Sequence, residues 1–386
     1  MGDAQCKKIG EAISLLSFQG EMISCERYGN GHINDTFRLV CMDRGVIKPY
    51  IIQRINHEVF KDPVSLMQNI SGVTSFLRET IIAQAGDPDR ETLNIVKARD
   101  GKDYCQDSDG NYWRGYLFIE GATTYDKVRN PEDFYQSGKA FGRFLRRLGE
   151  YPAGELAETI LNFHNTPVRL QAFKEAVKAD VCNRAGLVEK EITFVLDREK
   201  EADIAMKLLR EGRLPLRVTH NDTKLNNIMI DDQTGEALCV IDLDTIMPGL
   251  SIFDFGDAIR FGANTAEEDD PDSSRASLSL ELFEIYTKGY LEGCKEVLTA
   301  EERTMLPMGA KLMTFECGMR FLTDFLQGDT YFHTSRDNHN LDRARTQFAL
   351  VADMEKKWVE MEEMIATLEE QQLDRYLGMA INREQT

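Results

Sequence analysis

Nowhere does the chain place two cysteines close enough for a CxxC pair. The eight present, Cys6, Cys25, Cys41, Cys105, Cys182, Cys239, Cys294 and Cys317, are scattered singly. That argues against a disulfide framework and predicts reduced thiols of a cytoplasmic protein. The six histidines never fall at metal-ligand spacing with cysteine or with one another, which speaks against a structural zinc. No apolar run reaches membrane-spanning length, and the opening MGDAQCKKIG lacks an apolar signal core. It begins Met-Gly, but Cys6 stands where a myristoylation signal needs Ser or Thr. Repeats, low-complexity tracts and long linkers are absent. Positive charge is also in short supply, with 46 Lys and Arg against 65 Asp and Glu, for a formal net charge of -19. Such a surface repels phosphate backbones and anionic lipid heads, so neither nucleic acid nor membrane is expected as a partner. No obligate protein partner is implied. A neutral or cationic small molecule, or an anion escorted by metal, fits better.

What is present suggests two parts. With 386 residues, 42% of them hydrophobic, the chain is long enough for two lobes. FRLVCM (37–42) and YIIQRI (50–55) are separated by a polar turn, as in a hairpin. SLMQNISGVTSFLRETIIAQ (65–84) has helical spacing, and further strands end in the apolar run 116–119. After Gly121 the texture becomes helical. Asn130 caps and Pro131 opens a helix whose acids lie first, whose bases lie last and which Gly149 stops. Phe134, Gly138, Phe141, Leu145 and Leu148 share one of its faces. Further helices are expected at about 168–180, 189–211, 276–297, 301–327 and 341–372. The expected fold class is α+β. A strand-rich part, 1–120, precedes a mainly helical part, 121–386.

Within the helical part lies RVTHNDTKLNNIMIDDQTGEALCVIDLDT (217–245), dense in acids and amides between short apolar runs. NIMI and ALCVI read as buried strands joined by a turn at Asp231 to Gly235. Asp242 and Asp244 leave the second strand two residues apart, on one face. Asp and Asn are common turn formers, but here six positions agree in type, order and spacing with a phosphotransfer site. Phosphoryl transfer needs divalent metal on the phosphates, an oriented hydroxyl and neutralised charge. Asp222 suits the hydroxyl proton, Asn227 and Asp242 suit magnesium, and Lys224 suits the transferring phosphate. The order His-x-Asp-x-Lys-x-x-Asn, then Ile-Asp, matches a kinase catalytic loop and metal Asp. His220 is expected to pack that loop.

Through THNDTKLNN, VIDLDT and FDFGDAIR the sequence resembles the aminoglycoside phosphotransferase and choline kinase superfamily, which is similar in fold to protein kinases. Through YGNGHINDTF (28–37) and FDFGDAIRFGANTAEEDD (253–270) it is more closely similar to the N-acetylhexosamine 1-kinases within it. The resemblance spans about 25–350. It implies a bilobal kinase-like fold: a nucleotide-binding N-lobe, and a C-lobe holding the catalytic loop and sugar site. It also implies ATP and Mg2+ as the groups bound, and phosphorylation of the anomeric hydroxyl of GlcNAc or GalNAc. In that frame Asp222 is the base, Asn227 and Asp242 hold magnesium with Asp244 a possible helper, and Asp254 or Asp257 braces the loop.

Gly29 and Gly31 precede the first hairpin strand, where glycines permit close approach to phosphates. Gln53-Arg54 stands where kinases carry the ATP-pairing lysine, and alternation lets only one of the two point inward. Arg54 has the fork to hold phosphate. Gln68 stands where the lysine's acidic partner is expected. By resemblance Phe118, Ile119 and Glu120 form the adenine-facing hinge, and His32, Phe261, Arg320 and Tyr331 join Asp222 around the sugar. Alternative readings are a kinase for a cationic acceptor such as choline or an aminoglycoside, and a nucleotide-binding pseudokinase. Only Trp113 and Trp358 are available as tryptophans for a choline cage.

Overall fold

The computed structural model describes residues 3–29 and 33–384. In chain order the elements are α1 (Asp3–Leu15), β1 (Glu21–Arg27), β2 (Asp35–Asp43), β3 (Val46–Arg54) and α2 (Pro63–Ala83). β4 (Ile95–Val96), β5 (Cys105–Gln106), β6 (Tyr112–Leu117), β7 (Ala122–Thr123) and α3 (Pro131–Arg147) follow. Then come α4 (Thr166–Ala179), α5 (Glu189–Asp197), α6 (Ile204–Arg210), β8 (Arg217–Thr219), β9 (Ile228–Asp231), β10 (Ala237–Val240) and β11 (Met247–Gly249). The chain ends with α7 (Ser251–Gly262), α8 (Leu280–Cys294), α9 (Ala300–Thr304), α10 (Leu306–Gln327), α11 (His339–Lys356) and α12 (Trp358–Glu384). Two compact units result. The first is Met1–Thr123 with Glu150–Leu161 and Met229–Met247, and the second is Thr124–Gly149, Asn162–Ile228 and Pro248–Thr386. The expected division after residue 120 lies close to the end of the first segment. The strand pair after the catalytic loop, however, belongs to the first unit.

The first unit is built on an antiparallel sheet of order β1-β2-β3-β6-β4, with β5 also on β6. The expected hairpin forms with Asp35 opposite Arg54 and Asp43 opposite Val46. Alternation sends Phe37, Leu39, Cys41, Tyr50, Ile52 and Trp113 to one face, where α1 covers them with Ile9, Ala12 and Leu16. The opposite face carries Gln53 beside its cross-strand partner Arg114. A second sheet, β10-β9-β7, pairs Ala122 with Asp231. Asp231 closes the β9–β10 turn by accepting from the Gln233 and Thr234 amides at 3.0 and 2.9 Å.

The second unit is helical. Asn130 caps α3 by accepting from the Asp133 amide, and all five residues expected on its inner face are buried. Glycines let α3 and α8 meet backbone to backbone. A Cβ on Gly138 or Gly142 would strike the carbonyls of Tyr286 or Tyr290, and one on Gly289 or Gly293 those of Tyr135 or Lys139. Phe173, Val195, Phe315, Met319, Phe325, Leu341 and Phe348 fill a core shared by α4, α5, α10 and α11.

Three expected helices are interrupted. The helix expected at 189–211 breaks after Asp197, where Arg198 turns to fork the Glu355 carboxylate at 2.8 and 2.7 Å. That expected at 301–327 splits after Thr304, because Pro307, in the first turn of α10, has no amide to continue α9. That expected at 341–372 breaks at Lys357, whose ammonium reaches Asp353, Ser277 and the Leu278 carbonyl.

Candidate active site

The loop from His220 to Asn227 lies in the second unit, leaving β8. Its backbone is held from below by α7. Asp254 accepts from the His220 and Asn221 amides, both at 2.8 Å, and Asp257 from the Thr223 amide at 3.1 Å. The Thr223 hydroxyl donates to the Asp254 carbonyl at 2.6 Å. Asn221 takes a left-handed backbone, φ 63°, so the loop turns sharply just before Asp222. His220 is fully buried, with its ring edge on Phe141 and Phe144 and its Nδ1 accepting from the Asp222 amide. It packs the loop, as its position suggested.

The side chains above this frame converge. The Lys224 ammonium sits 2.7 Å from Asp222 Oδ1, and Asn227 Nδ2 donates to Asp222 Oδ2 at 3.0 Å and to the Asp222 carbonyl at 2.8 Å. Burial opposes the Lys224 charge, but Asp222 and Asp257 outweigh it and raise the lysine's pKa. Asp257 is itself held below the usual carboxylate range: burial pushes it up, and Arg260 and Lys224 pull it down further. Burial raises Asp254 to about 6, against the pull of His220 and the two amide bonds it accepts.

In the first unit Asp242 follows β10 with φ 58°, ψ 57°, and residues 243–245 make a 3-10 turn. Left-handed geometry at a non-glycine is a mark of functional loops, and Asp tolerates it better than most. Because Asp242 has already left the strand, the two-residue alternation expected for Asp242 and Asp244 does not hold. Asp244 is 4% exposed, and both its oxygens are taken. Oδ1 accepts from Arg114 at 2.5 Å and Oδ2 from Asn34 at 2.6 Å. Asp244, expected as a possible metal helper, is here the partner of a buried arginine.

The model of the phosphotransferase enzyme family, APH, matches residues 24–288. The chain belongs to this family. Among solved structures this phosphotransferase is similar to a microcompartment-associated aminopropanol kinase, with 17% identity over 93% of this chain and 99% of that one and a TM-score of 0.60. A choline kinase from Cryptosporidium parvum Iowa II gives 14% identity over 96% and 100%, with a TM-score of 0.56. A spectinomycin phosphotransferase in complex with ADP and spectinomycin gives 12% over 87% and 94%, with a TM-score of 0.53. The strand-rich amino-terminal and helical carboxy-terminal parts are thus those of a protein-kinase-like fold.

The phosphotransferase's remaining candidate residues are distributed as follows. Gly29 has φ 76°, a conformation that favours glycine; Gly31 and His32 lie outside the described residues. Arg54, expected to hold phosphate, points to the α1-covered side of the sheet and donates to Asp35. Gln53 takes the other side, bonding Thr36 and Arg114, both at 2.9 Å. Gln68, where an acid was expected, is exposed. Phe118, Ile119 and Glu120 line a cavity of about 780 Å³ with Pro49, Thr74 and Arg78. The Phe118 ring lies against Tyr28 and under Arg38, at 5.6 and 4.8 Å. The Glu120 carbonyl accepts from Arg90 at 3.1 Å.

In the second unit Phe261 is 37% exposed and borders a cavity of about 430 Å³ with Thr223, Leu225, Arg260, Asn264 and Glu267. Arg320 faces the rings of Phe163, Tyr331 and Phe332 at 5.4, 5.9 and 5.5 Å. Asp324 fixes that turn by accepting from the amides of Thr330, Tyr331 and Phe332 at 2.9, 2.8 and 2.9 Å. The sequence reading missed Asp324, Asn34 and Arg114. Arg114 did leave a signal, as a lone charge in the otherwise apolar run YWRGYLF.

Among the described residues, no disulfide is formed and no helix is long and apolar enough to cross a membrane.

Proposed function

We propose that this phosphotransferase moves the γ-phosphoryl group of ATP to the anomeric hydroxyl of an N-acetylhexosamine, giving the sugar 1-phosphate. The observation that carries phosphotransfer is the catalytic loop. There one carboxylate, Asp222, is oriented by Lys224 and Asn227 on a backbone pinned by Asp254 and Asp257. Asp222 accepts the acceptor's hydroxyl proton, that oxygen forms the new bond to the γ-phosphorus, and the bond to the β-phosphate oxygen breaks to release ADP. Lys224 stands ready to neutralise charge on the transferring group.

The donor set fits magnesium. In the second unit Asn227 uses its Nδ2 on Asp222, leaving Oδ1 as an oxygen donor that would suit the ion; in the first unit Asp242 carries a carboxylate of the same suitability. When bound, the ion would neutralise phosphate charge, with the remaining ligands from water and phosphate. The nucleotide base is assigned to the Phe118–Glu120 stretch beside the Tyr28 and Phe118 rings. With the Phe118 amide on the Pro49 carbonyl and the Glu120 carbonyl on Arg90, base recognition falls to the other main-chain groups of Phe118, Ile119 and Glu120.

A neutral acceptor suits the helical unit better than a cation. Four of the five acids of AEEDDPD are already matched, Glu267 by Lys127, Glu268 by Arg260, Asp269 by His339 and Asp270 by Arg275, and the fifth, Asp272, accepts from the Ser274 amide and hydroxyl. Neither tryptophan is placed for a cation cage. Trp113 lies in the core under α1, and Trp358 faces the Lys311 ammonium. The exposed aromatic face of Tyr331 beside the Arg320 donors, and that of Phe261 bordering its own cavity, are the kind of surface a sugar uses.

The test is ADP release from ATP and magnesium across N-acetylhexosamines, plain hexoses, choline and aminoglycosides. Turnover of GlcNAc or GalNAc, with the 1-phosphate as product, is expected. Turnover of choline or an aminoglycoside alone would overturn the sugar reading. Nucleotide binding with no turnover would leave a pseudokinase.

A further inference from the structure

The kinase pattern places a lysine on the third strand and an acid on the following helix, and together they orient the nucleotide phosphates. Where the sequence led us to expect that pair, β3 holds Gln53 and α2 the exposed Gln68, while Lys48 of β3 pairs with Asp43 and Gln19 and Glu79 of α2 is exposed. A buried cation nevertheless sits on this face of the sheet. Arg114 is 2% exposed, donates through Nε to Gln53 at 2.9 Å and through a terminal nitrogen to Asp244 at 2.5 Å, and lies against the sulfur of Met67. Burial works against its charge, but Asp244 outweighs it, and Tyr116 and Asp242 add to the same effect.

The chain of contacts continues beyond Asp244. Its second oxygen accepts from the Asn34 amide group, whose own oxygen accepts from the Asn56 backbone at 2.9 Å. Two residues past Asp244, the Ile246 carbonyl accepts from Asn69 of α2 at 3.0 Å. The turn bearing Asp242 is thus clamped from β6, α2 and the residue preceding β2.

We infer that the Asn34–Asp244–Arg114 chain positions Asp242 for magnesium-bound nucleotide, replacing the lysine–acid pair of other kinases. Arg114 and Asp244 are too enclosed to touch phosphate themselves, so both are positioning residues, acting through the backbone of 242–245. The inference rests on the proposed nucleotide and metal roles.

Removing one partner of a buried ion pair commonly destabilises the whole chain. Asn34, at the margin of the network, therefore gives the cleaner variant. The measurement is ADP binding by calorimetry, with and without magnesium, on the full chain. Asn34→Ala and Asp244→Asn are each expected to weaken Mg-ADP binding about five- to tenfold, with metal-free ADP changed less than twofold. The double variant is expected to be no weaker than the worse single, because both break one chain. Arg114→Lys, which keeps the charge and loses the fork, should fall between wild type and these. Melting temperatures of the Asn34 variant should stay near wild type. A wild-type chain that does not bind Mg-ADP would sink the nucleotide reading itself. If wild type binds but Asn34→Ala binds equally well, the inference fails. It also fails if the losses match with and without magnesium, or multiply in the double variant.

Discussion

At the scale of single residues, the site separates groups that do chemistry from groups that hold them. Asp222 is expected to be the base, so Asp222→Asn should lower kcat by about 10²–10⁴-fold while nucleotide affinity measured by calorimetry survives. A variant with near-normal turnover would show that another group takes the proton. Asp254 does no chemistry but braces the loop, and its environment makes that brace pH-sensitive. Burial raises its pKa to about 6, above the unfolded value of about 3.9. The native state therefore holds a proton that the unfolded state has lost between these two values. That contribution to stability is complete below about pH 3.9 and is lost as pH rises through about 6. The loss amounts to about 3 kcal/mol by pH 7. Activity runs the other way, since only the carboxylate accepts both amides fully. Wild-type kcat should rise with pH through about 6. Asp254→Asn should lack that limb, and its stability should change less between pH 4 and 7. An unchanged limb in the variant would assign the titration elsewhere.

At the scale of elements, close backbone approach fixes where the loop is carried. The α3–α8 contact depends on four glycines facing carbonyls. A methyl at Gly289 meets the Tyr135 carbonyl oxygen, which has no way to yield without separating the helices. Gly289→Ala should cost about 1–3 kcal/mol, read as a lower denaturant midpoint with an unchanged slope. A neutral result would mean the helices part more readily than their packing suggests. This is also the scale at which sequence reading was most uneven. Capping and periodicity at Asn130 to Leu148 gave α3 and its buried face directly, because those signals are local. The breaks at Asp197 and Lys357 were not visible, because they depend on Glu355, Ser277 and Leu278 in distant segments. The break at Pro307 is a local signal, legible in the sequence.

For the whole molecule, a net charge of -19 means self-repulsion that dissolved salt screens over about 8–10 Å. Raising sodium chloride from 10 to about 150 mM should increase the melting temperature, even though surface ion pairs such as Lys127–Glu267 weaken over the same range. A falling melting temperature would mean that paired charges outweigh the excess acid.

The amino-acid sequence by itself determined the phosphotransfer motif, since Asp222, Lys224, Asn227 and Asp242 are set by spacing along a short loop and strand pair. It also determined the hairpin and the capped helix, whose signals lie within a few residues of each other. It left open which of Gln53 and Arg54 faces inward, and it did not show Asp244 paired with Arg114. Only the tertiary structure decided those. A strand's phase says that two neighbours point apart, but not which side the rest of the chain will cover. Here α1 covers the Arg54 side, and Arg114, 130 residues before Asp244 in the chain, supplies the cation on the other. Pairings over such distances depend on packing and leave no periodic trace for a sequence to show.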